Sequence, residues 1–211
     1  MIQVLIVEDD PMARQLLEIY VEKSGAYSLA QSVESAAFAE LCCRARQIDL
    51  ILMDVCTAMN ASGLEASEKI KREFPYIKVI IITSQPECSF LDRARDAGVD
   101  SFWYKHGTAE ELVSIMDRTM AGEQVYPETT PPLQLGDVTS DLLSDRELEV
   151  LRELVAGEPD AAIAEKLHLS LRTVKAHIQS MRDKTGFRNR TELAVRAREI
   201  GLVINDKHPD E

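Results

Sequence analysis

No apolar run among the 211 residues approaches the roughly 18–20 needed to cross a bilayer, so no membrane span is expected. The opening MIQVLIVEDD lacks the basic start, longer apolar stretch and small-residue cleavage site of a secretory leader, which points to a cytoplasmic protein. Cysteine is sparse and unpatterned. Cys42, Cys43, Cys56 and Cys88 form no CxxC pair and no zinc-like spacing with the four histidines, so they read as reduced thiols. Internal repeats and low-complexity tracts are also missing. The length suits one large domain or two small ones, either able to bury a core.

Basic charge is in deficit overall, with a net −12 that argues at first against a nucleic-acid partner. Its distribution reverses that. Residues 1–143 hold 12 lysines and arginines against 23 acids, a net −11, whereas 144–203 hold 11 against 10, a net +1. The tail 204–211 is net −2, and within 170–190 six basic residues face one acid. A local basic stripe, not the chain average, is what phosphates would meet.

The first 121 residues alternate short β-branched runs with helical spacing. Strands are expected at Gln3–Val7, Tyr27–Gln31, Leu50–Met53, Val79–Ile82 and Ser101–Trp103, with helices between them at Pro11–Lys23, Ser35–Arg46, Leu64–Phe74, Glu87–Ala97 and Thr108–Ala121. Three strands, QVLIV, LILM and VIII, are apolar throughout, as befits a parallel sheet covered on both faces. The expectation is a doubly wound (βα)5 α/β domain over 1–121. Residues 122–143 carry Pro127 and the pair Pro131-Pro132 without periodicity, and read as a linker. From Ser144 the pattern is all-helical: Ser144 with Glu147 forms a capping-box signature, and helices follow to Ala156, over Asp160–Leu167, over Leu171–Thr185 and over Thr191–Ile200. This makes 144–203 a small four-helix domain, with 204–211 a tail.

In a doubly wound sheet, chemistry collects at the carboxyl ends of strands. Here those ends carry Glu8-Asp9-Asp10, Asp54, Thr83 and Lys105. Clustered carboxylates repel unless a cation joins them, and Mg²⁺ suits a few carboxylates with water and phosphate oxygens. With a lysine and a hydroxyl facing the same pocket, the logic is phosphoryl transfer onto a carboxylate. In the C-terminal part, Val174, Ile178 and Met181 bury one face of a helix, and Arg172, Lys175, Ala176, Gln179, Arg182 and Asp183 lie opposite. Capped at Ser170, such a helix fits a major groove, where lysine reaches guanine acceptors, glutamine reads adenine and alanine meets a thymine methyl.

Residues 1–121 resemble the receiver domain of bacterial two-component response regulators. Residues 144–203 resemble the LuxR-type (NarL/FixJ-type) helix-turn-helix domain, through LSDRELEVLRELVAG, IAEKLHLSLRTVKAHI, RDKTG and RNRTELA. The first resemblance implies Asp54 as phosphoacceptor, and Glu8, Asp9, Asp54 and the Cys56 backbone carbonyl as Mg²⁺ ligands. It also implies Thr83 and Phe102 as switch residues and Lys105 as the phosphate-binding lysine. The second implies base reading by Lys175, Ala176 and Gln179, phosphate contacts from Arg172, Thr173, Lys184, Arg188 and Arg190, and a last helix that pairs DNA-bound domains. Together they imply a sensor histidine kinase as phosphodonor, a homodimer when phosphorylated, an inverted-repeat DNA target, and RNA polymerase as a further candidate partner. No enzymatic role is implied beyond self-phosphorylation and autodephosphorylation.

The chain departs from these families at three places. Where family members carry Met-Pro after the phosphoacceptor and Gly eight residues after it, this sequence has Thr57-Ala58, and Gly63 lies nine residues after Asp54. Asp160-Ala161-Ala162 replaces the usual Asn-Lys-Glu before Ile163-Ala164, and His106 follows Lys105 with no proline. Three other readings compete. A haloacid-dehalogenase-type phosphatase would want a second Asp where Cys56 stands. A receiver kept as a phosphorylation-independent dimerisation or docking module is favoured by the lengthened loop. A helical domain that binds protein rather than DNA is the third.

Overall fold

The structure, a computed structural model, describes residues 1–87, 89–105 and 107–203. The Cys88 thiol, His106 and the tail 204–211 therefore lie outside the described residues. The chain divides into two compact units: among the described residues, the first holds Met1–Ser84 and Phe90–Glu128, and the second holds those from Thr129 onward together with the short segment Gln85–Ser89.

The N-terminal unit is built on five parallel strands: β1 (Ile2–Val7), β2 (Tyr27–Val33), β3 (Leu50–Asp54), β4 (Lys78–Thr83) and β5 (Ser101–Tyr104), in the order β2-β1-β3-β4-β5. Between and after them run α1 (Pro11–Lys23), α2 (Ala39–Ala45), α3 (Gly63–Glu73), α4 (Phe90–Asp96) and α5 (Ala109–Met120). The uninterrupted apolar runs have the expected cause. Val4–Val7, Leu50–Met53 and Val79–Ile82 are fully buried, because helices cover both faces. Alternate residues of those strands (Val4, Ile6, Leu50, Leu52, Ile80, Ile82) form one cluster with Leu17 and Val21 of α1, Trp103 of β5 and Leu112 and Met116 of α5. Burying each such side chain stabilises the fold by about 2 kcal/mol.

Local signals set the helix ends. Asp10 caps α1, its Oδ1 accepting from the amides of Met12 and Ala13 at 2.9 and 2.7 Å, and Pro11 opens the first turn. Asp10 thus serves the helix rather than the carboxylate cluster. Thr108 and Glu111 form a reciprocal capping box at α5. The expected helix over Ser35–Arg46 is divided: Ala36–Phe38 is a 3-10 turn, and α2 proper begins at Ala39.

The expected linker 122–143 is mostly structured. Its first residues belong to the N-terminal unit, where Val125 bridges in parallel to Ser101 at the edge of β5. Farther on, Gln134–Leu135 and Val138–Thr139 pair antiparallel about Gly136 (φ 62°), and Leu135 is buried with the helical core. That core gathers α6 (Asp145–Val155), α7 (Asp160–Lys166), α8 (Leu171–Thr185) and α9 (Arg190–Glu199) around Val150, Leu154, Ile163, Val174, Met181 and Leu193.

Candidate phosphoacceptor site and nucleic-acid interface

Parallel strands in register bring their carboxyl ends to one edge of the sheet. Val7 pairs with Met53, Asp54 with Ile82, and Thr83 with Tyr104. Glu8, Asp54, Thr83 and Lys105 therefore emerge side by side, and Lys105 N donates to the Thr83 carbonyl at 2.9 Å. Asp54 and Thr83 are buried, and Glu8 is 1% exposed. Lys105 Nζ donates to Asp54 Oδ2 at 2.7 Å and stands 2.5 Å from Glu8 Oε2, a charge contact outside hydrogen-bond alignment. Asp54 Oδ1 accepts from the Val55 amide at 2.7 Å.

The electrostatics follow from that crowding. Burial pushes the Asp54 carboxyl up to about 7; Glu8 adds to the rise, while Lys105 and the Val55 amide oppose it. Burial would lower Lys105, but the two carboxylates it touches raise it further, so its charge is fixed. One lysine thus serves two buried acids. Glu8, Asp9 and Asp54 each offer a carboxylate oxygen, all within 4.8 Å of one another, with Asp9 open to solvent. An all-oxygen donor set with one exposed side fits a hard divalent cation such as Mg²⁺, which keeps several waters.

The loop after Asp54 absorbs its additional residue as a small hairpin. Cys56–Thr57 pairs antiparallel with Ala61–Ser62, and the turn is made by Met59 and Asn60, both left-handed at φ 65° and 52°. Thr57 closes the hairpin by donating to Ala61 O at 2.7 Å and accepting from Ala36 N at 2.9 Å, and Ser35 Oγ donates to Ala58 O at 2.7 Å. Gly63 N still reaches Val55 O at 2.8 Å. A Cβ on Gly63 would overlap the Asp54 carbonyl oxygen and lie 2.9 Å from its carbon, so the glycine is required by the close approach, not by φ. The structure brings Phe102, also buried, against Tyr104, ring centroids 5.1 Å apart and edge-on.

In the C-terminal unit the helix-turn-helix is formed by α7 and α8. The turn is tight: His168 takes φ 53°, and Leu169 N donates to Ala164 O at 2.8 Å. Ser170 Oγ accepts from Thr173 N at 3.0 Å and caps α8, and Gly186, left-handed at φ 76°, ends it. Val174, Ile178 and Met181 are buried; Arg172, Lys175, Ala176 and Gln179 are exposed on the outer face, and Thr173 is half-buried. Gln179 is engaged along that face, donating to Asp183 at 2.7 Å and accepting from Arg182 at 3.0 Å.

Two residues expected at phosphates are held elsewhere. Lys184 Nζ contacts Glu147 Oε2 at 2.7 Å and Leu142 O at 3.1 Å. Arg190 pairs with Asp160 at 2.6 Å and donates to Glu158 O at 2.9 Å, tying the start of α9 to the start of α7. The unusual Asp160 therefore has a structural partner. Arg188 remains exposed.

Comparison with known proteins agrees with this construction. Residues 4–117 match the response regulator receiver domain, and residues 141–197 match the bacterial regulatory proteins of the luxR family. The response regulator protein VraR of Staphylococcus aureus (strain Mu3 / ATCC 700698) is 31% identical over 209 residues, covering 96% of this chain and 99% of that protein. Among solved structures, one of two RcsB dimers bound to two parallel DNAs shares the fold at a TM-score of 0.63 and 21% identity, over 94% of this chain and 98% of that one. RcsB from Salmonella enterica serovar Typhimurium, bound to promoter rprA in the presence of phosphomimetic BeF3-, aligns at 0.61 and 22%, over 92% and 96%. The chain belongs to the two-component response regulators, as a receiver domain followed by a LuxR-type helix-turn-helix DNA-binding domain.

Proposed function

We propose that this protein is a transcription regulator whose binding to double-stranded DNA is switched by transfer of a phosphoryl group from a sensor histidine kinase to Asp54. The observation that carries the reading is the buried Asp54 carboxylate, its Oδ2 held by Lys105 beside Glu8 and Asp9. In the step, an Asp54 oxygen attacks phosphorus while the phosphorus–nitrogen bond of the phosphohistidine breaks. The electron pair stays on the departing imidazole, which takes a proton from solvent, and an acyl phosphate forms. Lys105 reorients from the carboxylates to a phosphoryl oxygen, and Thr83, at the adjacent strand end, donates its hydroxyl to another. Glu8, Asp9, Asp54 and the Cys56 carbonyl are the groups that would hold Mg²⁺, which when bound neutralises charge on the transferring group. Phe102 then repacks with Thr83, and the shifted state favours a homodimer.

On the DNA side, Lys175, Ala176 and Gln179 face base edges, and Arg172, Thr173 and Arg188 face phosphates. Lys184 and Arg190 contribute there only if they leave Glu147 and Asp160. Two recognition helices on a two-fold axis read an inverted repeat with half-sites about one helical turn apart. No helix of the described residues is long and apolar enough to cross a membrane, consistent with action in the cytoplasm. RNA polymerase is the partner expected at the promoter. The test is selection of genomic fragments at fixed salt by wild type and Asp54→Ala, each with Mg²⁺ and acetyl phosphate. Enrichment of an inverted repeat by treated wild type alone is the expected result. Equal enrichment by both proteins, treated or not, would make the receiver a docking module.

A further inference from the structure

The segment following α5 does not leave the receiver. Glu123 is fixed at the helix end, its amide donating to Arg118 O at 2.9 Å and its carboxylate accepting from Arg118 Nε at 2.8 Å. The chain then runs along the outer edge of β5, where Phe102 N donates to Val125 O at 2.8 Å. Val125 N donates to Ser101 Oγ at 3.0 Å, and that hydroxyl is bonded to Thr119 of α5 at 2.7 Å. Tyr126 OH donates to Val99 O at 2.8 Å, and the Arg95 guanidinium of α4 lies 4.9 Å from the centre of the Tyr126 ring. The same ring is 6.3 Å from that of Phe102.

We propose that residues 124–126 are a latch that reads the position of the Phe102 ring and sets the length of free chain leading to the DNA-binding domain. This rests on the reading of Asp54 as phosphoacceptor. Phe102 holds the segment twice, by its amide to Val125 and by its ring against Tyr126, and it is itself buried between Tyr104 and Tyr126. A movement of that ring removes an apolar neighbour from Tyr126 and disturbs the backbone bond on the same residue. The remaining ties are few and partly exposed, which places the segment among the parts of a domain that open most readily.

The consequence is geometric. With the latch closed, the free chain runs from Pro127 to Pro132, because Leu133 is fixed by its amide bond to Ser140 Oγ at 2.9 Å. Extended, those residues reach about 20 Å; freeing 124–126 as well raises the reach to about 30 Å. A longer tether enlarges the volume open to the second domain and changes the effective concentration at which two such domains meet.

The experiment is hydrogen exchange on the full chain, untreated or treated with Mg²⁺ and acetyl phosphate, with intact mass reporting the acyl phosphate. In wild type, labelling should raise exchange at the Phe102 and Val125 amides by about tenfold or more. Tyr126→Ala should show that raised exchange before treatment and no further rise after it. Tyr126→Phe keeps the ring and loses only the bond to Val99, and should retain the response. Labelled wild type with unchanged exchange at both amides overturns the latch and leaves the phosphoacceptor reading intact. Untreated Tyr126→Ala with wild-type exchange, or Tyr126→Phe without a response, also overturns it. Absence of the label overturns the phosphoacceptor reading and the latch with it.

Discussion

Glu147 offers the sharpest quantitative test of the C-terminal packing. It is buried where α6 meets α8, and burial by itself would raise its pKa. Lys184 Nζ at 2.7 Å, the Ser144 amide at 2.8 Å, Ser180 Oγ at 2.7 Å and Ser144 Oγ at 3.0 Å outweigh that and hold it at about 2, against an ordinary 4.5. A carboxyl depressed on folding stabilises the folded state above its unfolded pKa, and that contribution is lost as pH falls through the folded value. The depression corresponds to about 3 kcal/mol at pH 7, little changed at pH 5, and only about 1 kcal/mol by pH 3. Glu147→Gln removes the titration while keeping an acceptor of similar shape. Urea unfolding followed by helical circular dichroism at pH 7, 5, 4 and 3 should therefore show a gap between the two proteins that narrows across that window. A gap that stays constant, or widens as pH falls, would refute the argument that the ionised carboxylate is what these four donors stabilise.

The remaining expectations concern the loop after Asp54, the Asp160–Arg190 pair and the recognition helix. Gly63→Ala should destabilise the receiver by about 2–4 kcal/mol, since the Asp54 carbonyl cannot yield without displacing the buried end of β3; chemical denaturation measures it, and a neutral result would contradict the close approach. Asp160→Ala with Arg190→Ala in a double-mutant cycle should return a coupling of about 0.5–1 kcal/mol, because the pair is partly exposed; additivity would mean that the ion pair contributes nothing. Lys175→Ala and Gln179→Ala should each change the preferred DNA sequence in a selection experiment. A uniform weakening across sequences would place them at phosphates instead.

The sheet was legible in the sequence because a parallel strand buried on both faces has no alternation to hide it, as in VLIV and VIII, and two helix starts of the C-terminal unit were legible because Ser144 and Ser170 mark them locally. The side-chain cluster at the strand ends was legible for the same reason as the sheet: Glu8, Asp54, Thr83 and Lys105 each directly follow or end an apolar run. What failed was the linker. The bond from Phe102 to Val125 spans the whole of α5, and nothing in EQVYP marks a segment that will dock on a strand edge. The hairpin farther on did carry a signal, Gly136-Asp137 between Leu135 and Val138, which prolines upstream obscured. The hairpin after Asp54 showed only as a spacing anomaly, because two left-handed non-glycine residues leave no compositional trace. Pairing of Lys184 with Glu147 and Arg190 with Asp160 was equally hidden, since a basic residue reads alike whether it faces phosphate or a distant acid.

Trp103 is the sole tryptophan of the chain, buried in the receiver sheet, with its indole nitrogen 2.7 Å from where a Cβ on Gly107 would stand. It lies on the strand that leads into Lys105, and the DNA-binding domain has no indole of its own. Emission excited selectively in the indole band is therefore an optical signal private to one half of the molecule. Melting followed by fluorescence reports the receiver alone, while melting followed by circular dichroism reports both halves. Subtracting one trace from the other gives, without labels or truncation, the extent to which a perturbation in one domain is felt by the other.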